Sequence, residues 1–104
     1  MRDWKHQERR IATLLGGQRV PVTGRARGDA PDIEHGMLSI EVKARARLPA
    51  LLTKAMSQAV AAVRGDQIPF VVLHQWGDPW ADDMVVLRMS DWLDLHGPVG
   101  GRTE

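Results

Sequence analysis

One acid and one lysine stand two positions apart in the segment Glu41-Val42-Lys43, which follows an apolar run ending at Ile40. Alternate side chains of an extended strand point to opposite faces, so Glu41 and Lys43 would lie on one face and their apolar neighbours on the other. A carboxylate and an ammonium group held side by side in this way suit a bound metal ion and a water molecule. The segment therefore predicts hydrolytic chemistry at a cation.

Asp32 is the second acid of this set, and it lies in the preceding strand-like segment. A tight turn at His35-Gly36, where glycine supplies the positive φ that such turns require, would join the two strands as a hairpin. In that register Asp32 lies opposite Ser39 and diagonal to Glu41, with Cβ atoms about 7 Å apart or less. Two carboxylates at this distance can share one cation or flank two, and without a cation they repel each other.

Glu8 is the third acid, and its neighbours indicate that it faces inward. One stripe of a helix is formed, at spacings of four, three and four residues, by Trp4, Glu8, Ile11 and Leu15. An ionised carboxylate on an apolar stripe needs a cation, a hydrogen bond or a metal, because burial without a partner is unfavourable. Two interpretations of Glu8 remain open: an ion pair with an arginine, and a place in the same metal site.

The ligands available in this set are oxygen atoms of Asp and Glu, and the chain contains no cysteine. Oxygen ligands select a hard ion, so we expect Mg²⁺, with Mn²⁺ as a substitute, rather than zinc. Such an ion lowers the pKa of a bound water and neutralises charge on a phosphate, while a nearby lysine positions the water or stabilises the transition state. The predicted reaction is phosphodiester hydrolysis.

The helices and strands that would position these residues follow from hydrophobic periodicity and from turn residues. We predict three helices, over residues 3–15, 48–63 and 91–96, and five strands, over residues 19–23, 31–35, 37–44, 69–73 and 84–89. Pro49 lies in the first turn of the second helix, and Ser90 is the predicted N-cap of the third. The order α-β-β-β-α-β-β-α predicts an α/β fold with a mixed central sheet of about five strands flanked by helices.

The chain has 104 residues and a net charge of +1, which is unevenly distributed. Residues 1–64 contain twelve Lys and Arg against six Asp and Glu, whereas residues 65–104 contain two against seven. The basic part is either a surface that collects phosphates or a solvated face. The length predicts one domain over residues 1–98 with a tail at 99–104, and without a signal sequence or a membrane-spanning run we expect a cytoplasmic protein.

Glu8 in a helix, Pro31-Asp32 in a strand and Glu41-Val42-Lys43 in the next strand resemble the motif of the PD-(D/E)XK nuclease superfamily. Within it, the small size, the helix-borne glutamate and the Gly/Arg-rich loop before the aspartate are most similar to archaeal-type and phage Holliday junction resolvases. The resemblance implies a restriction-endonuclease-like fold. It also implies a Mg²⁺-dependent homodimer, from a bacterium, an archaeon or a phage, that makes paired nicks in four-way DNA junctions.

The same resemblance implies a role for each motif residue. The metal ligands would be Glu8, Asp32, Glu41 and the backbone carbonyl of Val42. Lys43 would be catalytic and would form the catalytic site together with the three acids. The resemblance therefore assigns metal binding and catalysis to one residue of the first helix and to a short stretch of the two predicted strands.

Four arginines flank this site in sequence and would either grip DNA phosphates or serve solubility: Arg25, Arg27, Arg45 and Arg47. Gln58, on the predicted crossover helix, is either a polar residue near the site or a solvent-facing glutamine. Trp76 and Trp80 would either stack on nucleobases or pack in a core or a dimer contact. Two functions besides junction resolution stay open: a general structure-specific or nicking nuclease of a phage or mobile element, and a DNA-binding module without turnover.

Overall fold

The computed structural model describes residues 4–20 and 31–96 of the chain. These residues form a mixed α/β structure with three α-helices and two small two-stranded sheets. They belong to two compact units, the first with the described residues up to Arg45 together with His96 and the second with Ala46–Leu95, and each unit contains one of the sheets. None of the helices in the described ranges is long and apolar enough to cross a membrane.

In the first unit, helix α1 covers Trp4–Leu15 and ends where the sequence predicts, at two glycines. Gly16 has a φ of +79°, in the left-handed region that residues with a Cβ rarely adopt. Its N–H donates to the Thr13 carbonyl (3.4 Å), and the N–H of Gly17 donates to the Ala12 carbonyl (2.9 Å), which are the two hydrogen bonds of a Schellman cap. The predicted first helix is confirmed.

Strand β1 (Gln18–Arg19) follows that cap and pairs antiparallel with strand β2 (Ile33–Glu34). Gly17 permits the close approach, because a Cβ built on it would lie 2.6 Å from the Glu34 carbonyl oxygen and 2.7 Å from Ile33 Cγ2. Ile33 is completely buried, at 0% exposure. The other buried apolar residues of this unit are Ala12, Leu15 and Ile40. The core of the first unit therefore lies between the inner face of α1 and the strand pair.

The predicted strand over residues 37–44 is reduced to one antiparallel bridge, between Ile40 and Ile33. The predicted register, with Asp32 opposite Ser39, is therefore wrong by two residues. The N–H groups of Asp32 and Ile33 both donate to the Ile40 carbonyl, at 3.0 and 3.4 Å, which is the hydrogen-bond pattern of a β-bulge. A bulge at this point disturbs the ladder and ends regular pairing after a single bridge.

His35 explains why the turn is wider than predicted. Its Nδ1 accepts the backbone N–H groups of Met37 (3.0 Å) and Leu38 (3.2 Å). Because backbone N–H groups can only donate, Nδ1 is the acceptor, and Nε2 donates to the Leu15 carbonyl at 2.9 Å. The side chain thus holds residues 35–38 as a turn and ties it to the end of α1. This imidazole accepts two backbone N–H groups that would need other acceptors in a tighter hairpin.

In the second unit, helix α2 covers Ala50–Ala61, strand β3 covers Val71–Leu73 and strand β4 covers Met84–Val86. The strands pair antiparallel, with Val72 opposite Val85 in the centre, and α2 packs against β3. A 3₁₀ turn lies in the connection between the strands. The helix and the two strands predicted for this region are confirmed in shortened form.

Helix α3 covers Met89–His96 and begins two residues earlier than predicted. Ser90 therefore lies inside its first turn and is not the N-cap. The Arg88 carbonyl accepts the N–H groups of Asp91 (3.1 Å) and Trp92 (3.0 Å), and Arg88 Nε donates to Asp91 Oδ2 at 2.8 Å. An acid in the first turn suits the positive end of the helix dipole, so Asp91 and Arg88 fix this helix start in place of a serine cap.

The predicted α/β class is confirmed, but the finer sheet is not. Within residues 4–20 and 31–96 there are four short strands and the Ile40 bridge, arranged as two two-stranded sheets and not as one sheet of five strands. Residues 21–23 of the predicted first strand and the predicted tail at 99–104 lie outside the described residues. The boundary of a single domain at residue 98 stays a prediction.

Candidate functional site

Asp32 lies where three segments of the first unit meet. Its carbonyl accepts the N–H of Val20 (2.9 Å), and its own N–H donates to the Ile40 carbonyl (3.0 Å). Its carboxylate Oδ2 accepts the N–H of Val42 at 2.7 Å, and the residue is only 7% exposed. A bulge re-aims the side chain of its first residue. The carboxylate is thereby directed at the segment that follows Ile40, which carries the predicted acid and lysine.

The same hydrogen bond brings Asp32 close to Glu41. The amide nitrogen of Val42 is one peptide unit from the Cα of Glu41, so bond lengths place that Cα about 5.5 Å at most from Asp32 Oδ2. Glu41 and Lys43 are both exposed, whereas Val42 is half-buried. Of the predicted catalytic set, the structure therefore brings together Asp32 and Glu41, with Lys43 two residues further along the chain.

Glu8 is buried on the inner face of α1, at 5% exposure, and it forms an ion pair with an arginine. Arg19 Nε donates to Glu8 Oε1 at 2.8 Å, and the Arg19 guanidinium also lies over the Trp4 ring, 5.6 Å from its centroid. Arg19 Nη2 is buried without a hydrogen-bond partner among the described residues. Of the two interpretations of Glu8, the ion pair is the one that these contacts support, and a metal-ligand role stays a prediction.

The predicted DNA-contacting residues are only partly within the described ranges. Arg45 and Arg47 are exposed, and Arg45 Nη1 donates to the neighbouring Ala44 carbonyl at 3.3 Å. Arg25 and Arg27 lie outside the described residues. Gln58 is exposed on α2 in the second unit. These positions leave the phosphate-binding role of Arg45 and Arg47 as a prediction that their exposure permits.

The residues near Asp32 can be compared with the needs of Mg²⁺. In the part of the chain that the structure describes, no group of three or more His, Asp or Glu side chains is arranged to hold a metal. Mg²⁺ is nevertheless commonly held by one or two carboxylates together with waters and substrate phosphates. Asp32 and Glu41, whose backbones the Val42 hydrogen bond brings close, are the two acids that would have to meet that smaller requirement, whereas Glu8 would first have to leave Arg19.

An open cavity of about 650 Å³ lies beside these acids rather than at them. Its lining comes from the α1 cap and the β2 turn and includes Glu34, His35 and Ser39, but neither Asp32 nor Glu41. Asp32 is itself buried, whereas Glu41 is exposed to solvent.

Two residues that organise the site are absent from the sequence prediction, Arg19 and His35. The need of Glu8 for a cation is evident from its place on an apolar stripe, and Arg19 is the only basic residue in β1 or β2. His35 gives no comparable signal, since its three backbone partners include a carbonyl twenty residues away. Arg19 holds Glu8 through the ion pair, and His35 holds the turn that follows β2.

Comparison with known proteins gives no relative: no protein-family model, no curated protein and no solved structure matches the chain. Function is therefore inferred from the chemistry of the site. That chemistry consists of a buried aspartate hydrogen-bonded to the residue after Glu41, an exposed lysine two residues beyond Glu41 and a buried ion pair in the same unit.

Proposed function

We propose that this protein is a Mg²⁺-dependent endonuclease that hydrolyses phosphodiester bonds in branched DNA, with a four-way junction as the expected substrate. The observation that carries the proposal is the 2.7 Å hydrogen bond from the Val42 N–H to the Asp32 carboxylate, which sets Asp32 beside Glu41. The proposal includes a restriction-endonuclease-like fold and a cytoplasmic location. The mixed α/β class and the order of the elements support that fold.

The carboxylates of Asp32 and Glu41 would hold Mg²⁺, which when bound supplies an activated water and neutralises charge on the phosphate. The Val42 N–H fixes the orientation of Asp32 through a short, charge-assisted hydrogen bond. The Val42 carbonyl is a further candidate ligand. In this arrangement Asp32 is buried and held in place, whereas Glu41 is exposed and would face the substrate.

Lys43 is the residue proposed to act on the reacting phosphate. Its side chain is exposed, and it follows Glu41 by two positions in a segment without regular secondary structure. An ammonium group there would stabilise the negative charge that develops on the phosphate oxygens in the transition state. Arg45 continues the exposed basic segment of the first unit and would contact a DNA phosphate, and Arg47, exposed as well, is proposed as a phosphate contact of its own.

A dimer is part of the proposal because of the substrate. A four-way junction is resolved by two symmetric nicks, which require two active sites, and one small domain supplies one set of these residues. Two copies related by a two-fold axis would place the two sites symmetrically. A monomer would instead be suited to single nicks in flaps or duplex.

The proposed activity is tested with an end-labelled four-way junction and Mg²⁺. We expect cleavage by the wild-type protein, and a loss of at least about a hundredfold in rate for Glu41→Ala and for Lys43→Ala, because each removes a charge at the reacting phosphate. Asp66→Ala and Lys54→Ala, which remove an exposed acid and an exposed lysine of the second unit, should retain the wild-type rate.

A linear duplex of the same sequence separates junction cleavage from general nicking. Equal rates on junction and duplex would assign the protein to the broader class of structure-specific or nicking nucleases. No cleavage of either substrate, or cleavage unchanged in Glu41→Ala and Lys43→Ala, would refute the endonuclease proposal.

A DNA-binding module without turnover is the second candidate, and the Glu8 ion pair favours it. A Glu8 held by Arg19 at 2.8 Å leaves two carboxylates, not three, for a cation. Titration of the cleavage-tested protein with Mn²⁺ in a calorimeter distinguishes the two functions. Heat of binding that disappears in Asp32→Ala supports the endonuclease, and no heat in the wild type supports the binding module.

A further inference from the structure

Helix α1 presents a basic face to solvent. At 3.6 residues per turn its exposed polar residues fall within about 140° of its circumference. They are Lys5, His6, Arg9, Arg10 and Thr13. The only acid of the helix, Glu8, is buried and paired with Arg19, so it does not belong to this exposed face. The outer face of α1 therefore carries positive charge and no carboxylate of its own.

Two arginines of this face have no carboxylate partner among the described residues. Arg9 and Arg10 are both exposed and follow one another in sequence. Arg10 Nη2 lies 3.4 Å from His6 Nε2, which is a contact with an imidazole and not with an acid. Within residues 4–20 and 31–96, neither Arg9 nor Arg10 forms an ion pair. Both guanidinium groups are therefore available to an anionic partner.

An aromatic ring borders the same face at its N-terminal end. Trp4 is 45% exposed, and Lys5 Nζ lies 5.6 Å from the centroid of its ring. The Arg19 guanidinium lies at the same distance from that ring. Basic groups next to a half-exposed aromatic ring are the combination found on surfaces that bind nucleic acids, where cations contact phosphates and the ring packs on sugar or base.

Two exposed tryptophans of the second unit have the opposite electrostatic setting. Trp76 and Trp80 are 91% and 82% exposed in the connection between β3 and β4. That connection also carries three aspartates, at positions 78, 82 and 83. Carboxylates repel a phosphate backbone, so charge complementarity selects α1, and not this loop, as the surface that faces DNA.

We propose that the basic face of α1, defined by Lys5, Arg9 and Arg10, binds the phosphate backbone of DNA. The inference rests on the proposed function, because it assigns to the same protein a surface that holds an arm of its substrate. Backbone contacts of this kind carry no sequence information but fix the position and orientation of a duplex. Since α1 and Asp32 belong to one compact unit, a duplex arm held by α1 has a defined position relative to the proposed site.

The test measures the affinity for a fluorescent four-way junction without divalent metal, over a range of salt concentrations. The test variant is Arg9→Ala with Arg10→Ala, and the matched control is Lys54→Ala with Arg64→Ala, which removes the same charge from exposed positions of the second unit. Alanine maintains helix propensity, and circular dichroism confirms that each variant is folded. Each lost phosphate contact lowers the slope of log K against log salt by about one.

We expect the Arg9/Arg10 variant to lose about two units of slope and to bind about tenfold or more weakly at 0.1 M salt, while the control changes by less than one unit. A test variant with the slope and affinity of the control, or a wild type that binds no DNA, would overturn the inference. Retention on phosphatidylglycerol vesicles that depends on Arg9 and Arg10, without DNA binding, would assign the face to a membrane and overturn it as well.

The two proposals fail in distinguishable ways. Arginine-dependent DNA binding by a protein that cleaves nothing with Mg²⁺ would support the α1 surface and refute the endonuclease. Junction cleavage that persists with an unchanged salt slope in the Arg9/Arg10 variant would support the endonuclease and refute the α1 surface.

Discussion

The two units contain the same kind of contact, an arginine Nε at 2.8 Å from a carboxylate oxygen, in two different environments. The side chains of Arg19 and Glu8 in the first unit are 15% and 6% exposed. Those of Arg88 and Asp91 in the second unit are 47% and 13% exposed. Removing one partner of a buried pair leaves an uncompensated charge, whereas water and salt screen a surface pair. Identical geometry therefore implies very different energetic consequences.

Apolar residues show the same contrast in burial. The first unit buries Leu15, Ile33 and Ile40 around its polar site. The second unit exposes Leu51, Phe70, Val72, Val85 and Met84 by half or more. Burying charge is unfavourable unless the partners are well placed. The buried ion pair of the first unit therefore carries an energetic cost that the exposed pair of the second unit does not. Such a cost is typical of functional sites, and it makes the first unit the more sensitive to substitution.

The largest expected effect comes from Arg19→Met, which removes the cation from Glu8 and maintains most of the apolar volume. The remaining carboxylate would be buried at 6% exposure with its partner gone. We expect the free energy of unfolding to fall by about 3–5 kcal/mol, as measured by urea denaturation followed by circular dichroism.

The control for this prediction is the double variant Glu8→Leu with Arg19→Met. Replacing both charges by apolar side chains leaves no uncompensated group, so most of the lost stability should return. If Arg19→Met alone changes the free energy of unfolding by less than about 1 kcal/mol, the pair is hydrated in solution and the contrast between the units disappears.

A smaller effect is expected from Gly17→Ala, which tests how tightly α1 approaches β2. The added Cβ would lie 2.6 Å from a backbone oxygen of Glu34, and backbone cannot move aside as a flexible side chain can. We expect a loss of about 1–3 kcal/mol in the free energy of unfolding.

Gly36→Ala is the matched comparison, because nothing lies within 4 Å of a Cβ at Gly36 and its φ is not positive. That substitution should leave stability unchanged or raise it by a few tenths of a kcal/mol, since alanine restricts the unfolded chain. Equal losses from both substitutions would mean that the α1 cap does not pack against β2 as described.

The helices of this protein could be predicted from sequence because their signals are local. The Gly16-Gly17 pair ends α1, and the apolar spacing of residues 48–63 gives α2. The register of the β2 turn could not, because it depends on His35, whose imidazole reaches the Leu15 carbonyl as well as two amides of its own turn. A side chain that competes with strand pairing for backbone N–H groups leaves no periodic pattern in the sequence.

The proximity of Asp32 and Glu41 was nevertheless predicted in spite of the wrong register. The predicted and observed pairings differ by only two residues, so Asp32 still lies next to the segment that carries Glu41. The need of Glu8 for a partner could likewise be predicted, but its identity could not, because Arg19 reaches Glu8 through the tertiary packing of β1 against α1. Site chemistry was thus accessible from residue types, and site geometry depended on tertiary contacts.

The smallest expected effect is that of Arg88→Ala in the second unit. Its guanidinium is 47% exposed, so the pair with Asp91 gains little over hydration of the separate charges. We expect the free energy of unfolding to fall by about 0.5 kcal/mol or less, and the difference from wild type to vanish in about 1 M salt, where the Debye length is about 3 Å. Urea denaturation at low and high salt measures both quantities. A loss as large as that of Arg19→Met, and insensitive to salt, would mean that burial does not distinguish the two pairs and that the start of α3 depends on Arg88 for its formation.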